Sequence, residues 1–448
     1  MLLSTAAGAA DVAGTIGGGN IEGGRDLARA GTQLKALNAV GAGMCRIPVS
    51  PHIYWLEGMP HPEQLDGLVL LVHNRGLTPI FLFEYYTRST PELGGRDKWR
   101  SVGHAFAERF RPNSPWLKSR GISDWGVVFY SAINEPMWKT NNPTPIPVEA
   151  YAATLEALAD GVHAIDPALK VSPGGFQELP LFTKKNPYVK AIAPLYNSGK
   201  LFALCIHRYW DVDYVPMKDR YDRSLQSQFE QVKRDAGITA DIVFYTDEMN
   251  FKKRMVSEEE AAAGLLTAIW DALGVVGDRG QCVSHFVFAW GLVHTADRDE
   301  SYGMCTQLEP WTPTARGKVV RQVCTLTRGM TLISCDPKRG GEFVLEGDGR
   351  KMWIWQNRRA WTDHPGPSYR LTGLPPSARK LEIYAWDGLF RTVPLTGRDA
   401  VTVDGLRVGE TWMFVATAVQ DRHHVPTSDL TTPRCRTSGR GRRCLALD

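Results

Sequence analysis

The sequence predicts an α/β protein: a (β/α)8 TIM barrel followed by a small C-terminal β-sandwich. Three observations carry that expectation. Short apolar runs rich in β-branched residues alternate eight times with segments of helical spacing in the N-terminal part of the chain. Further on, the pattern changes to strands and tight turns alone. The length, 448 residues, also exceeds the needs of a single barrel of about 250 residues and leaves room for a smaller partner.

In chain order, the eight runs predict strands over Ala13–Ile16, Met44–Val49, Thr78–Phe83, Gly126–Ile133, Lys170–Ser172, Leu201–Ile206, Ile242–Tyr245 and Ser284–Ala289. Helical spacing covers Gly24–Val40, Pro62–Arg75, Asp97–Arg111, Val148–Ile165, Arg223–Ala236 and Ser257–Leu273. The last segment opens with Ser257 and Glu260, the pair that forms a capping box. The glycine-rich stretch from Gly17 to Gly24 superficially favours a doubly wound sheet. Its glycines fit no G-x-G-x-x-G register, and no Gly-Lys-Ser/Thr follows, so both nucleotide-binding fingerprints fail.

Six more strands are expected over Gly341–Leu345, Lys351–Gln356, Ser368–Leu371, Leu381–Trp386, Ala400–Val403 and Thr411–Ala416, with turn chemistry such as Glu346-Gly347-Asp348-Gly349 between them. The domains expected are a barrel at 1–320, a β-sandwich at 321–419 and a flexible basic tail at 420–448.

Composition narrows the classes of function. The chain is 43% hydrophobic and 22% charged, with 14 Trp and 14 Tyr, as expected of a soluble globular protein whose aromatics serve the core and suit the apolar faces of sugars. A net charge of +4, partly in the tail arginines, provides no dense basic face for nucleic acid. No uninterrupted apolar stretch is long enough to span a bilayer, and the first ten residues make an unconvincing secretory signal, so localisation stays open. The eight cysteines include no C-x-x-C pair. Cys45, Cys205 and Cys282 are expected as buried thiols, whereas Cys435 and Cys444 are placed to bridge across the tail in an oxidising compartment.

The chemistry concentrates where strands end, because the C-terminal mouth of a barrel collects those side chains. The fourth run ends in Ile133-Asn134-Glu135-Pro136, and the seventh leads into Thr246-Asp247-Glu248-Met249. Two glutamates facing each other across a barrel mouth are what glycosidic cleavage needs, one attacking the anomeric carbon and one protonating the departing oxygen. By the two-residue period of strands, Asp247 is expected to point away from Glu248. No metal or organic cofactor is required for such chemistry.

Asn-Glu-Pro on the fourth run with a glutamate on the seventh resembles clan A of the glycoside hydrolases, families 5 and 39 most closely. The resemblance implies that Glu135 is the general acid/base, Glu248 the nucleophile and Asn134 a hydrogen-bond partner of the sugar 2-hydroxyl. It further implies that Arg46 and Tyr209 keep Glu248 ionised, that His207 with Tyr209 forms the His-x-Tyr of family 5, and that Trp290 is a sugar platform. Arg46 as an ion-pair partner of Glu84 is the structural alternative. The third run ends in Glu84-Tyr85-Tyr86, without the histidine usual in family 5, and the β-sandwich resembles the accessory domain of families 30 and 39. Tyr85, Tyr86, Trp138 and Trp210 are candidates for sugar subsites. Lys139, Arg208, Lys252, Lys253 and Arg254 form a basic cluster that would suit an acidic saccharide. The reading is therefore a retaining hydrolase of an oligo- or polysaccharide. Its alternatives are a transglycosylase on the same scaffold and a non-catalytic carbohydrate-binding barrel.

Overall fold

The computed structural model describes residues 11–21, 26–49, 55–56, 59–84, 95–137, 146–177, 186–210, 224–251, 256–299, 302–336, 341–358, 365–395 and 397–418. Eight parallel strands form its centre: β1 (Ile16–Asn20), β2 (Met44–Val49), β3 (Thr78–Phe83), β4 (Phe129–Ala132), β5, β6 (Ala203–Trp210), β7 (Val243–Phe251) and β8 (Ser284–Ala289). Strand β5 is broken into Lys170–Pro173 and Phe176–Gln177; its first half pairs with β4 and its second with β6. Because β1 pairs with both β2 and β8, the ladder runs through every strand and closes on itself. The fold is a (β/α)8 barrel.

The helices that cover it are α1 (Leu27–Val40), α2 (Asp66–Asn74), α3 (Gly95–Phe110), α4 (Val148–Ile165), α5 (Pro187–Asn197), α6 (Leu225–Ala236), α7 (Glu258–Leu273) and α8 (Ala315–Thr327). Helix α7 begins with the expected capping box between Ser257 and Glu260. Helices α5 and α8 lie outside the segments assigned from spacing; α5 carries Pro194 in its interior, which weakens its sequence signal. Helix α8 runs through residue 320 and contacts α1 and α7.

Alternation along the strands sorts the core into two parts. Met44, Ile80, Ala203, Cys205, Tyr245, Phe286 and Phe288 form a compact interior cluster, while Cys45, Ile47, Phe81, Leu204, Phe244 and Val287 join the larger cluster beneath the helices. The first strand differs from its expected position. Val12–Thr15 is a 3-10 turn, and the strand is the glycine-rich segment starting at Ile16. A Cβ on Gly17 would lie 2.3 Å from the Phe288 ring, and one on Gly18 2.6 Å from Leu37. Neighbouring side chains fill the space that β1 would otherwise fill, so its apolar signature is missing.

After α8 the chain forms a six-stranded antiparallel sheet of β9 (Thr331–Asp336), β10 (Glu342–Gly347), β11 (Arg350–Gln356), β13 (Ala378–Ala385), β14 (Gly388–Pro394) and β16 (Thr411–Ala418). A two-stranded sheet pairs β12 (Ser368–Thr372) with β15 (Ala400–Asp404). Strands β9 and β14 were not expected; β9 is mostly half-buried and β14 mostly exposed, with no fully buried residue in either, so neither has strong apolar alternation. Along β11, Met352 and Ile354 point into the barrel's core cluster, and Trp353 and Trp355 point into a second core with Leu371 and Val403. The C-terminal sheet therefore has two apolar faces, one inside its own sandwich and one against the barrel.

Helix α7 lies beneath that second face and is buried from Ala261 to Leu273 except at the half-buried Ala263, as expected of a helix covered from both directions. The Phe343 ring lies 5.7 Å from that of Trp270, and Gln356 donates to the Thr267 carbonyl at 3.2 Å. Of the cysteines, Cys45 and Cys205 are buried free thiols as expected, but Cys282 is exposed; it follows a turn outside the strand that was expected to bury it. The tail at 420–448, with Cys435 and Cys444, lies outside the described residues. No described helix is long and apolar enough to cross a membrane.

Candidate active site

The inward period of the barrel strands continues upward from the interior cluster to a polar layer. Two residues beyond Met44 is Arg46, two beyond Cys205 is His207, then Tyr209, and two beyond Tyr245 is Asp247. Strand β7 is also irregular. Tyr245 pairs with Cys205, but Met249 pairs with Arg208, so β7 has one more residue than β6 between those points. This is a β-bulge, which re-aims side chains. Asp247 and Glu248 consequently both reach Arg46, correcting the expectation that Asp247 points away.

Arg46 is fully buried and spans the site. Its Nε donates to Asn20 Oδ1 at 2.6 Å, Nη1 to Asp247 Oδ2 at 2.6 Å and Nη2 to Glu248 Oε1 at 2.5 Å. Burial opposes its charge, but the two carboxylates outweigh that and hold the guanidinium well above its ordinary value. Its ion-pair partners are thus Asp247 and Glu248, and the alternative pairing with Glu84 is set aside. Its guanidinium also lies 5.3 Å from the Trp290 ring.

Glu135 is presented by a strained exit from β4. Ile133 and Glu135 both have left-handed backbones, with φ of 65° and 45°, a conformation that costs non-glycine residues energy and persists only where neighbours fix it. The Ile133 amide donates to Phe83 O and the Glu135 amide to Gly175 O, each at 2.9 Å. The second bond uses the break in β5. Gly175 is also where His207 passes: a Cβ there would lie 1.7 Å from His207 Nε2.

His207 is buried between three carboxylates. Its Nδ1 lies 2.7 Å from Glu135 Oε1 and 3.6 Å from Glu248 Oε2, and its Nε2 lies 2.9 Å from Asp247 Oδ1. Tyr209 donates from its hydroxyl to Glu248 Oε2 at 2.7 Å, and Cys205 Sγ donates to Asp247 Oδ1 at 2.9 Å. One ligand atom each of Glu135, His207 and Glu248 falls within 4.8 Å of the others, so the two glutamates face each other closely.

Burial pushes Glu135 upward, helped by the Glu248 charge and only partly offset by His207. Burial works against a charged His207, but the Glu248 charge and the bonds to Asp247, Cys205 and Glu135 hold it well above its ordinary value. Burial also opposes ionisation of Asp247, and Arg46, His207 and Cys205 overcome it, so its carboxyl stays below the usual range. The groups Cys205–His207–Asp247 and Glu135–His207–Glu248 are spaced like metal ligands. A protonated His207 has no lone pair to offer a metal, and the carboxylates already satisfy Arg46 and Tyr209.

The structure thus brings Glu135, Glu248, Arg46, His207 and Tyr209 together. Trp290 follows β8, with its ring edge-on to His294 at 5.3 Å. Asn134 precedes Glu135 on the same strand exit and is half-buried. Tyr85, Tyr86, Trp138, Lys139, Lys252, Lys253 and Arg254 lie outside the described residues, as does the side chain of Trp210, which ends β6. Arg208 is buried and alternates with His207 and Tyr209 along β6. Sequence reasoning missed Asn20, Cys205, Asp247 and Tyr302, whose ring lies 5.0 Å from that of Tyr209. The inward period running through Cys205 and Tyr245 was the signal that could have found Asp247.

No protein-family model and no curated protein matches the sequence. Among solved structures, the fold is similar to that of several glycoside hydrolases. A glucosidase from Croceicoccus marinus is similar at 15% identity and a TM-score of 0.59, covering 86% of this chain and 92% of that one. A family 39 glycoside hydrolase from Bacteroides cellulosilyticus WH2 is similar at 13% identity and 0.57, covering 91% and 81%. A family 51 α-L-arabinofuranosidase from Bifidobacterium longum is similar at 13% identity and 0.56, covering 92% and 97%. At these identities the likeness is one of fold.

Proposed function

We propose that this protein is a retaining glycoside hydrolase acting on an oligo- or polysaccharide, with Glu248 as nucleophile and Glu135 as general acid/base. The observation that carries the reading is the approach of the two glutamates to within 4.8 Å. Retention requires carboxyl groups about 5–5.5 Å apart, whereas inversion needs about 6.5–9.5 Å to admit a water. Glu248 attacks the anomeric carbon as Glu135 gives its proton to the glycosidic oxygen; the carbon–oxygen bond breaks and a glycosyl ester forms on Glu248. Glu135, now ionised, takes a proton from water, whose oxygen displaces Glu248.

The environments of the two groups support this division: Glu135 is held upward by burial, while Glu248 accepts from Arg46 and Tyr209, donors suited to a carboxylate. Asn134 and Trp290 are assigned to the sugar, Arg46, His207 and Tyr209 to the two carboxylates, and Tyr85, Trp138 and Trp210 to outer subsites. The division into a barrel at 1–320, a β-sandwich at 321–419 and a tail at 420–448 belongs to the same proposal.

The test is a screen of aryl glycosides and polysaccharides with wild type and Glu248→Ala in parallel. The variant should lose several orders of magnitude in rate and regain part of it with added azide. Wild-type turnover by Glu248→Ala would refute the assignment, and binding without turnover across the whole panel would favour a carbohydrate-binding barrel. A sugar acceptor that competes with water for the intermediate would identify a transglycosylase.

A further inference from the structure

Asp247 takes no part in the two-glutamate scheme, yet its carboxylate is completely buried and touches the partners of both glutamates. Oδ2 accepts from Arg46 at 2.6 Å, and Oδ1 lies 2.9 Å from both Cys205 Sγ and His207 Nε2. Burying an anion so deeply is costly unless each lone pair is met, and here each oxygen meets a donor. A protonated imidazole donates from both nitrogens. With Nε2–H fixed on Asp247, Nδ1–H is directed at Glu135 Oε1, 2.7 Å away.

We propose that Asp247 is the positioning residue of the acid catalyst: by holding Nε2–H of His207 it turns Nδ1–H onto Oε1 of Glu135, so that the transferable proton is carried on Oε2. This rests on the reading of Glu135 as general acid. A neutral His207 would present an Nδ1 lone pair and draw the carboxylic proton of Glu135 into the buried bond, away from the glycosidic oxygen. The groups facing His207 agree with a charged ring: Glu135 beyond β4, Asp247 and Glu248 on β7, and the Cys205 thiol on its own strand. Arg46, the nearby fixed cation, is itself engaged by Asp247 and Glu248. The bulge in β7 makes the device possible, because it lets adjacent residues address different glutamates: Asp247 acts through His207 on Glu135, and Glu248 is itself the facing carboxylate.

Two measurements test it on the full chain. In the first, NMR of protein with 15N-labelled histidine rings, with the His207 signals identified by their loss in His207→Gln, should show both ring nitrogens protonated at neutral pH in wild type. Asp247→Asn should show a neutral His207 and Asp247→Glu a charged one. A neutral His207 in wild type overturns the proposal. In the second, kcat/KM is compared for the phenyl and 2,4-dinitrophenyl glycosides of whichever sugar the wild type cleaves. Asp247→Asn, its fold checked by near-UV circular dichroism, should lose about 100- to 1000-fold on the phenyl glycoside and less than about 10-fold on the dinitrophenyl one, because a good leaving group needs little protonation. Equal losses on both substrates, or none, overturn the proposal. If wild type cleaves neither, the acid role of Glu135 falls, and the NMR comparison still decides whether Asp247 governs His207.

Discussion

Replacing Gly175 with alanine places a methyl group where His207 now sits. The new Cβ would lie 1.7 Å from Nε2 and 2.0 Å from Cδ2 of the ring. Real side chains do not approach within about 3 Å, so the ring must retreat by about 1.3 Å or the broken segment of β5 must move. The backbone has little room to do so, because the Gly175 carbonyl accepts from the Glu135 amide at 2.9 Å. Retreat of the ring stretches the bonds that His207 makes at 2.7 Å to Glu135 and 2.9 Å to Asp247. At least one then passes beyond hydrogen-bonding range. Separating the partners of a buried ion pair costs about 3–5 kcal/mol, and displacing a reacting group by about 1 Å costs roughly 100-fold in rate. Gly175→Ala should therefore lower the urea midpoint at unchanged m-value and reduce kcat/KM by about two orders of magnitude. If the variant keeps the wild-type midpoint and pH–rate profile, His207 is not seated as tightly as the geometry requires, and the argument from close approach is wrong.

Tyr209→Phe removes the hydroxyl that donates to Glu248 at 2.7 Å; kcat/KM should fall by about 10- to 100-fold, and an unchanged value would show that this bond contributes nothing in the transition state. Ser257→Ala dissolves the capping box of α7 and should cost about 1 kcal/mol in denaturant unfolding with kcat unchanged. His285, packed among Phe129, Phe202 and Phe286, is lowered to about 4 by burial and then by Lys170. Its folded value lies below its unfolded one, so the unfolded chain binds the extra proton as pH falls from about 6.5 to about 4, and stability drops over that window by up to roughly 3 kcal/mol. His285→Phe should flatten this part of the stability curve, and an unaltered slope would place the titrating group elsewhere.

The barrel was legible in the sequence because seven of its strands coincide with the expected runs and because helices such as Val148–Ile165 show an unbroken period. What escaped has physical reasons. Strand β1 is built of glycines because Phe288 and Leu37 occupy the space its side chains would need, so a hydrophobicity pattern locates it three residues too early. Helix α5 hides behind Pro194, and β9 and β14 lie at the edges of their sheet with little to bury. In the site, Glu135, Glu248, Arg46, His207 and Tyr209 could be read from strand ends, since each sits at the inward phase or the exit of a recognisable run. Asp247 was passed over although it continues the inward phase of Tyr245, because alternation was counted back from Glu248 and a single extra residue in β7 lets both neighbours face the same arginine. The hydrogen bond from Cys205 was likewise hidden by the presumption that a cysteine in an apolar strand is inert filling.

Beyond its exposed first turn, helix α7 is enclosed between the barrel wall and the C-terminal sheet, with little surface left to water. A barrel expressed without the sheet would bare Trp270 and the alanines and leucines around it, a contiguous apolar patch of the kind that drives aggregation. The sheet is therefore not a pendant module that recombination could exchange freely between barrels. Any graft must bring its own ring for Trp270 and its own partner for the Thr267 carbonyl, so the natural unit of inheritance for this molecule is the barrel and sheet together.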